Sequence, residues 1–408
     1  MARVVPCTSQ VSPLALTQVP EGVFNFTVGQ PSAALIPHAM LSDAISTVLR
    51  KNIDPLMFQY SPQLGPYPTR AKLARFLQQS HLHPTLSADE VGFTFGNSLG
   101  ISCAIAALLE PGQTVLCEEF TYFLMSNILR DASLNIHACP LSVTSGLDIS
   151  ALERMVEKIR PRLVYLNPIH QNPTGSILPV KSRERLLQLS QEYDFFVFSD
   201  EPYLFLSFPE ERISEELKSL SVTASRIFPD DAYKKLICFG SFSKIVAPGL
   251  RCGWITGHPE ILHRISNAGA LSSGGGPSCL ITESLSSLID SGGLDNHISF
   301  LRRELCDRAT RMTAALIKCF GDQVSFGVPR GGYFMYVSFV SGIDTTQFVK
   351  FCSERGFKII FLPGAKCSVN EIQLGPNSSL RLAFSFYTPN EIEAGIDVLK
   401  EAYDAFIS

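Results

Sequence analysis

The residues best equipped for chemistry in this sequence are a lysine preceded by two hydroxyls and an arginine that follows it. They occur in Gly240-Ser241-Phe242-Ser243-Lys244, then Pro248-Gly249-Leu250-Arg251 and Gly253-Trp254. A phosphate monoester dianion is held by hydroxyl donors and by a guanidinium offering two parallel N–H bonds. Ser241, Ser243 and Arg251 provide that set in one short stretch. A lysine beside such a cationic site, partly withdrawn from water, has its pKa lowered and becomes a reactive amine. Lys244 is read as an amine that holds an aldehyde cofactor as an imine while its neighbours grip the phosphate.

Two upstream segments supply what a pyridoxal ring needs: Asn172-Pro173-Thr174-Gly175 and Ser199-Asp200-Glu201-Pro202-Tyr203. Asp200 can pair with the pyridine nitrogen and keep it protonated, which makes the ring an electron sink. Tyr203 and Asn172 can both reach the phenolate oxygen. Taken singly, such a tetrapeptide is an ordinary turn and such a lysine a surface lysine; their shared position after buried strands decides otherwise. Gly96-Asn97-Ser98 sits at a strand-to-helix junction, where free N–H groups bind phosphate. Tyr122 is placed to stack on the ring. Arg381 lies inside the apolar run Leu380-Arg381-Leu382-Ala383-Phe384, and a buried guanidinium calls for an anion such as a substrate carboxylate.

The elements that must position these residues are strands with little alternation, a pattern expected for a mostly parallel sheet covered by helices. Candidates are Val91–Phe95, Thr114–Cys117, Arg162–Leu166, Phe195–Phe198 and Lys235–Phe239, with a helix through Ile101 to Leu109. Each strand ends in a polar cluster, where ligands gather in such sheets. Beyond about residue 290 the pattern changes to a long helix from about Asn296 to Phe320. Strands Gly332–Val337, Lys358–Phe361 and Leu380–Phe384 follow, then a helix opening with Thr388-Pro389-Asn390-Glu391, which carries a capping box. The expected fold is α/β: a large domain at 61–293 and a smaller α+β domain built from both termini, 1–60 and 294–408. Residues 207–234 read as a surface excursion.

Bulk properties narrow the function. With 408 residues, 45% of them hydrophobic, the chain can bury a large core. A net charge of -4 with no basic run offers nucleic acid or an anionic membrane little to bind. Neither a signal-peptide pattern at the start nor an apolar stretch long enough for a membrane span is read. The eleven cysteines form no CxxC motif and suit a reduced, cytoplasmic protein without a metal site.

The chain resembles fold-type I pyridoxal-phosphate aminotransferases of class I/II, in the branch that includes aminoadipate, kynurenine and aromatic aminotransferases. The resemblance runs from Phe26-Thr27-Val28-Gly29-Gln30-Pro31 to Glu391-Ile392-Glu393-Ala394-Gly395, through His170-Gln171-Asn172-Pro173-Thr174-Gly175. It implies Lys244 as the lysine bound to pyridoxal 5'-phosphate and the acid-base catalyst. It implies Asp200 on the ring nitrogen, Asn172 and Tyr203 on the ring oxygen, and Tyr122 on the ring face. Asn97, Ser98, Ser241, Ser243 and Arg251 would bind the phosphate, Gly29 would border the substrate and Arg381 would clamp its carboxylate. Tyr60 would reach the phosphate of a neighbouring subunit, implying a homodimer. The implied substrates are an amino acid and a 2-oxo acid. Four features depart from the branch, one of them a segment at 207–234 that looks longer than usual. Gly96-Asn97-Ser98-Leu99 stands where Gly-Ser-Gln-Gln is usual, Phe120 replaces a proline, and Gly274-Gly275-Gly276 is an unusual run expected near the site. The same cofactor set would also serve elimination, decarboxylation, oxidation or condensation at the α-carbon. A sensor that binds the cofactor without turnover is the non-enzyme alternative.

Overall fold

The computed structural model describes residues 22–51, 55–211, 214–229, 233–369 and 377–408. The opening segment, read above for a signal peptide, lies outside them.

The unalternating apolar runs form one seven-stranded sheet. Its strands are β1 (Val91–Thr94), β2 (Thr114–Glu118), β3 (Asn135–Cys139), β4 (Leu163–Leu166), β5 (Phe196–Asp200), β6 (Leu236–Ser241) and β7 (Gly253–Gly257). The spatial order is β1-β7-β6-β5-β4-β2-β3. Neighbours are parallel except where β7 pairs antiparallel with β6 and β1. Every residue of β1, β4, β5 and β6 is buried, as required of strands covered on both faces. The expected strands are all present. β3 and β7 are additional: β3 is an edge strand with exposed Asn135 and His137, and β7 carries two glycines, so neither has a strong strand pattern. Because β1, β2, β4, β5 and β6 point the same way, Thr94, Glu118, Leu166, Asp200 and Ser241 end at one edge of the sheet.

A second sheet contains β8 (Val324–Phe326), β9 (Phe334–Phe339), β10 (Leu362–Pro363) and β11 (Ser379–Ala383), antiparallel in the order β8-β9-β11-β10. The run Lys358–Phe361, expected as one strand, is narrower in the structure, and the residues just after it form a separate strand. Ile359–Ile360 pairs in parallel with Phe24–Asn25, while Leu362–Pro363 joins β11. The N-terminal segment docks in this way: Phe24 N–H donates to Lys358 O at 2.9 Å, Phe26 N–H to Ile360 O at 2.8 Å, and Ala383 N–H to Phe26 O at 2.9 Å. The long helix runs Gly293–Phe320 and packs on the last helix, Pro389–Ile407. The capping box forms, with Thr388 N–H and Oγ1 bonding Glu391 Oε2 at 2.8 and 2.7 Å.

Two expectations need correction. The described part of the 207–234 excursion is anchored to the molecule and contains the helix Leu220–Ile227, with Leu217, Leu220 and Thr223 buried while Pro209, Glu210, Ser225 and Arg226 stay exposed. Fully buried Arg183 holds it, donating to Lys218 O at 2.6 Å and to Glu216 O; Arg330 pairs with Glu211 and Glu216, both at 2.7 Å. The run Gly274–Gly276 does not line the site cavity of this chain, and Gly275 and Gly276 pack on backbone next to Tyr60 in the chain. A Cβ at Gly275 would stand 2.3 Å from Ser61 O, and one at Gly276 2.3 Å from Pro62 O. Close backbone approach accounts for Gly275 and Gly276, whereas a Cβ at Gly274 would meet nothing within 4 Å.

Candidate active site

The strand ends open into a cavity of about 240 Å³ between the two sheets. Of the thirteen residues singled out in the sequence, twelve line it: Gly29, Asn97, Ser98, Tyr122, Asn172, Asp200, Tyr203, Ser241, Ser243, Lys244, Arg251 and Arg381. Tyr60 does not. It is 85% exposed and lines a separate cavity with Lys72 and Asp290.

Alternation after β6 sends Ser241 and Ser243 toward the cavity and Phe242 into the core. Lys244 Nζ donates to Gly29 O at 2.8 Å and lies 5.5 Å from the Tyr333 ring centre, while Tyr333 Oη donates to Lys244 O at 3.0 Å. Gly29 lets the Phe334 ring pack against this backbone, since a Cβ there would meet it at 2.8 Å. Burial, then Arg381, lowers the Lys244 pKa to about 8, with Asp200 opposing. The structure thereby assembles the withdrawn, cation-flanked amine that the sequence suggested.

Asp200 ends β5 and is buried. Asn97 Nδ2 donates to its Oδ1 at 2.6 Å and Tyr165 Oη to its Oδ2 at 2.7 Å. Burial raises its pKa to about 6 against those two bonds. Opposite lies the Asn172 turn, held by fully buried Gln171. The Gln171 amide donates to Phe120 O at 2.7 Å, and its carbonyl accepts from Thr174 N–H and Oγ1 at 2.9 and 2.7 Å. Arg381 projects from the middle of β11, 2% exposed. It donates to Asn172 Oδ1 and Thr27 O, each at 2.8 Å, and stacks 4.1 Å from the Phe334 ring centre. Its Nε is buried without a partner among the described residues.

At the other end, Gly96 (φ +83°) turns β1 into the helix Asn97–Leu108. A Cβ at Gly96 would sit 3.4 Å from the Arg251 guanidinium. Arg251 itself takes a left-handed conformation (φ +48°) after the turn Pro248–Leu250. The start of this helix, the Ser241 and Ser243 hydroxyls and the Arg251 guanidinium line the same cavity, a set whose chemistry suits a small anion.

The chain matches the aminotransferase class I and II family over residues 21–399. It belongs to that family. It is 29% identical to the 2-aminoadipate transaminase of Thermus thermophilus over 395 residues, covering 97% of this chain and 93% of the relative. With aromatic-amino-acid aminotransferase 1 of Thermococcus litoralis it shares 26% identity over 389 residues, covering 93% and 87%. The solved α-aminoadipate aminotransferase LysN, also of Thermus thermophilus and complexed with N-(5'-phosphopyridoxyl)-L-leucine, superposes with a TM-score of 0.82. That comparison covers 95% of this chain and 93% of LysN at 27% identity. The aminotransferase site suits pyridoxal phosphate: an anion cradle at one end, a reactive amine in the middle and a buried carboxylate within one cavity.

Several aminotransferase site residues escape sequence reasoning. Tyr165 has a detectable signal, since a hydroxyl in a buried apolar strand must find a partner, here Asp200. Asn167 donates to Asp200 O at 2.7 Å. Glu118, pushed up to about 8 by burial, accepts from Asn167 N–H at 3.0 Å and Gln171 Nε2 at 3.2 Å. Both stand directly at strand ends, the same rule that locates Asp200. Phe123, Leu124 and Phe334 also line the cavity but look like core residues in sequence.

Proposed function

We propose that this protein is a pyridoxal-phosphate aminotransferase in which Lys244, Asp200 and Arg381 carry the transfer of an amino group from an L-amino acid to a 2-oxo acid. The observation that carries this reading is their convergence, from three separate elements, on one cavity.

Bound pyridoxal phosphate supplies an aldehyde that captures the amino group and a ring that disperses the charge left on the α-carbon. Arg381 offers the donor's carboxylate its remaining N–H groups, with its orientation set by Asn172, Thr27 and Phe334. Lys244 Nζ takes the α-proton. Burial lowers its pKa to about 8, which favours the neutral amine that a general base requires, a role that typically contributes about 10²–10⁴-fold. Asp200, held by Asn97 and Tyr165, presents an ionised carboxylate to the ring nitrogen. With the cofactor bound, Tyr203 and Asn172 would serve its ring oxygen, Tyr122 its ring face, and Ser98, Ser241, Ser243 and Arg251 its phosphate. Gly29 forms the substrate-side wall. Preorganised groups of this kind stabilise developing charge without reorganising.

The proposed division is a large cofactor domain at 61–293 and a small one from 1–60 with 294–408; among the described residues it is supported by the two separate sheets. The homodimer reading is supported by exposed Tyr60 beside exposed Phe58 and Tyr67, a surface suited to a second copy whose phosphate Tyr60 reaches. A cytoplasmic location is supported by ten free thiols among the described residues. Replacement of Lys244 by alanine tests the central assignment. Transamination should fall by at least about 10²-fold; a near-wild-type rate would overturn it.

A further inference from the structure

We propose that Asn97 is a positioning residue for Asp200: its side-chain amide orients that carboxylate toward the cofactor's ring nitrogen. This assigns the Asn97 side chain a role at the ring nitrogen, leaving phosphate binding to the helix N-terminus. The proposal rests on the reading of Asp200 as the ring-nitrogen partner.

Asn97 opens the helix Asn97–Leu108, and its side chain leaves that helix for the sheet. Nδ2 reaches two acceptors, Asp200 Oδ1 on β5 at 2.6 Å and Phe239 O on β6 at 3.2 Å. Two acceptors define which end of the amide faces the sheet, because a flipped carbonyl would oppose both. The remaining oxygen, Oδ1, is buried without a partner among the described residues. Space for it depends on Gly253, where a Cβ would lie 3.1 Å from that atom. A serine here, usual in the resembling branch, is too short to span both acceptors.

Tyr165 Oη covers the second oxygen of Asp200 at 2.7 Å, so each carboxylate oxygen has one neutral donor and keeps a lone pair for a third. Hydrogen bonds to an ionised acceptor are short and strong. Burial pushes Asp200 toward its protonated form, while the Asn97 and Tyr165 bonds push it back. Loss of the Asn97 amide therefore favours a proton on Asp200, weakening its charge opposite the ring nitrogen.

The test uses the full-length apoprotein and two cofactors: pyridoxal phosphate, and an analogue in which a C–H replaces the ring nitrogen. Dissociation constants are measured for wild type, Asn97→Ala and Asn97→Ser. We expect pyridoxal phosphate to bind about tenfold or more weakly to the variants, and the analogue to change less than about threefold. Equal losses for both cofactors would overturn the proposal and return the side chain to the phosphate; no loss for either would overturn it outright. A cycle in Asp200→Asn guards against misfolding: adding Asn97→Ala there should cost less than about twofold, and a full additive loss would also overturn it. Failure of wild type to bind pyridoxal phosphate would instead strike the parent reading.

Discussion

Substituting Arg381 by lysine keeps the charge and removes the fork. A guanidinium has five N–H donors; two are committed to Asn172 Oδ1 and Thr27 O at 2.8 Å, and the Phe334 ring fixes its plane. The rest can meet a carboxylate along two parallel bonds. An ammonium has three donors on one atom and would have to satisfy Asn172, Thr27 and the substrate together. One charge-assisted bond is therefore lost, about 1.5–3 kcal/mol, or roughly 10- to 150-fold in kcat/KM. The loss should fall mainly on KM, because the carboxylate is held equally before and during proton removal. Single-turnover rates would be compared for an amino acid and for the amine bearing the same side chain without the carboxylate. The amino acid should lose at least tenfold and the amine less than about twofold. Equal losses for the two, or an unchanged KM for the amino acid, would refute Arg381 as the carboxylate clamp.

Three further outcomes are expected. Lys244 has a folded pKa of about 8, below its ordinary 10.5, so its buried ammonium opposes folding most below pH 8 and not above about pH 10.5. Denaturant unfolding of the apoprotein should accordingly show Lys244→Met more stable at pH 7, by roughly 3 kcal/mol at most, with the gap closing between pH 8 and 10.5. A gap independent of pH would contradict this. Gly276→Ala should cost at least about 2 kcal/mol in the same measurement, since its Cβ would meet Pro62 O at 2.3 Å and Gln63 O at 2.5 Å, both rigid backbone. A neutral change would show that contact to be relaxed. If Tyr60 serves the partner subunit, mixing and re-forming inactive Tyr60→Ala and Lys244→Ala proteins should restore activity toward about a quarter of wild type, because half the random dimers regain one intact site. No restoration would place Tyr60 in its own subunit's chemistry.

Much of the site is legible in sequence because a parallel sheet turns a one-dimensional pattern into a shared edge. A polar cluster after each buried run means that Asn172, Asp200 and Ser241 finish close together, with Lys244 just beyond. Arg381 is legible for another reason: a guanidinium amid Leu380, Leu382 and Ala383 must have an anion or carbonyls to meet. Contacts set by the third dimension are harder to read. The amide of Asn97 crosses to two strands more than a hundred positions away, so a local reading of the strand-to-helix junction assigns it to phosphate. The run Gly274–Gly276 suggests a ligand loop until the backbone of Ser61–Gln63 is found against it. Residues 207–234 look like a surface loop because the groups that secure them, Arg183 and Arg330, lie outside that segment and act largely on its backbone and carboxylates.

The most direct test of the central claim is an absorption titration of the purified protein reconstituted with pyridoxal phosphate. A visible band from cofactor joined to Lys244 should disappear with an amino donor, as a 2-oxo acid is released, and return with a second 2-oxo acid. Lys244→Ala should show neither the band nor the cycle. A band that a broad panel of donors leaves unchanged, or one that persists in Lys244→Ala, would contradict the account.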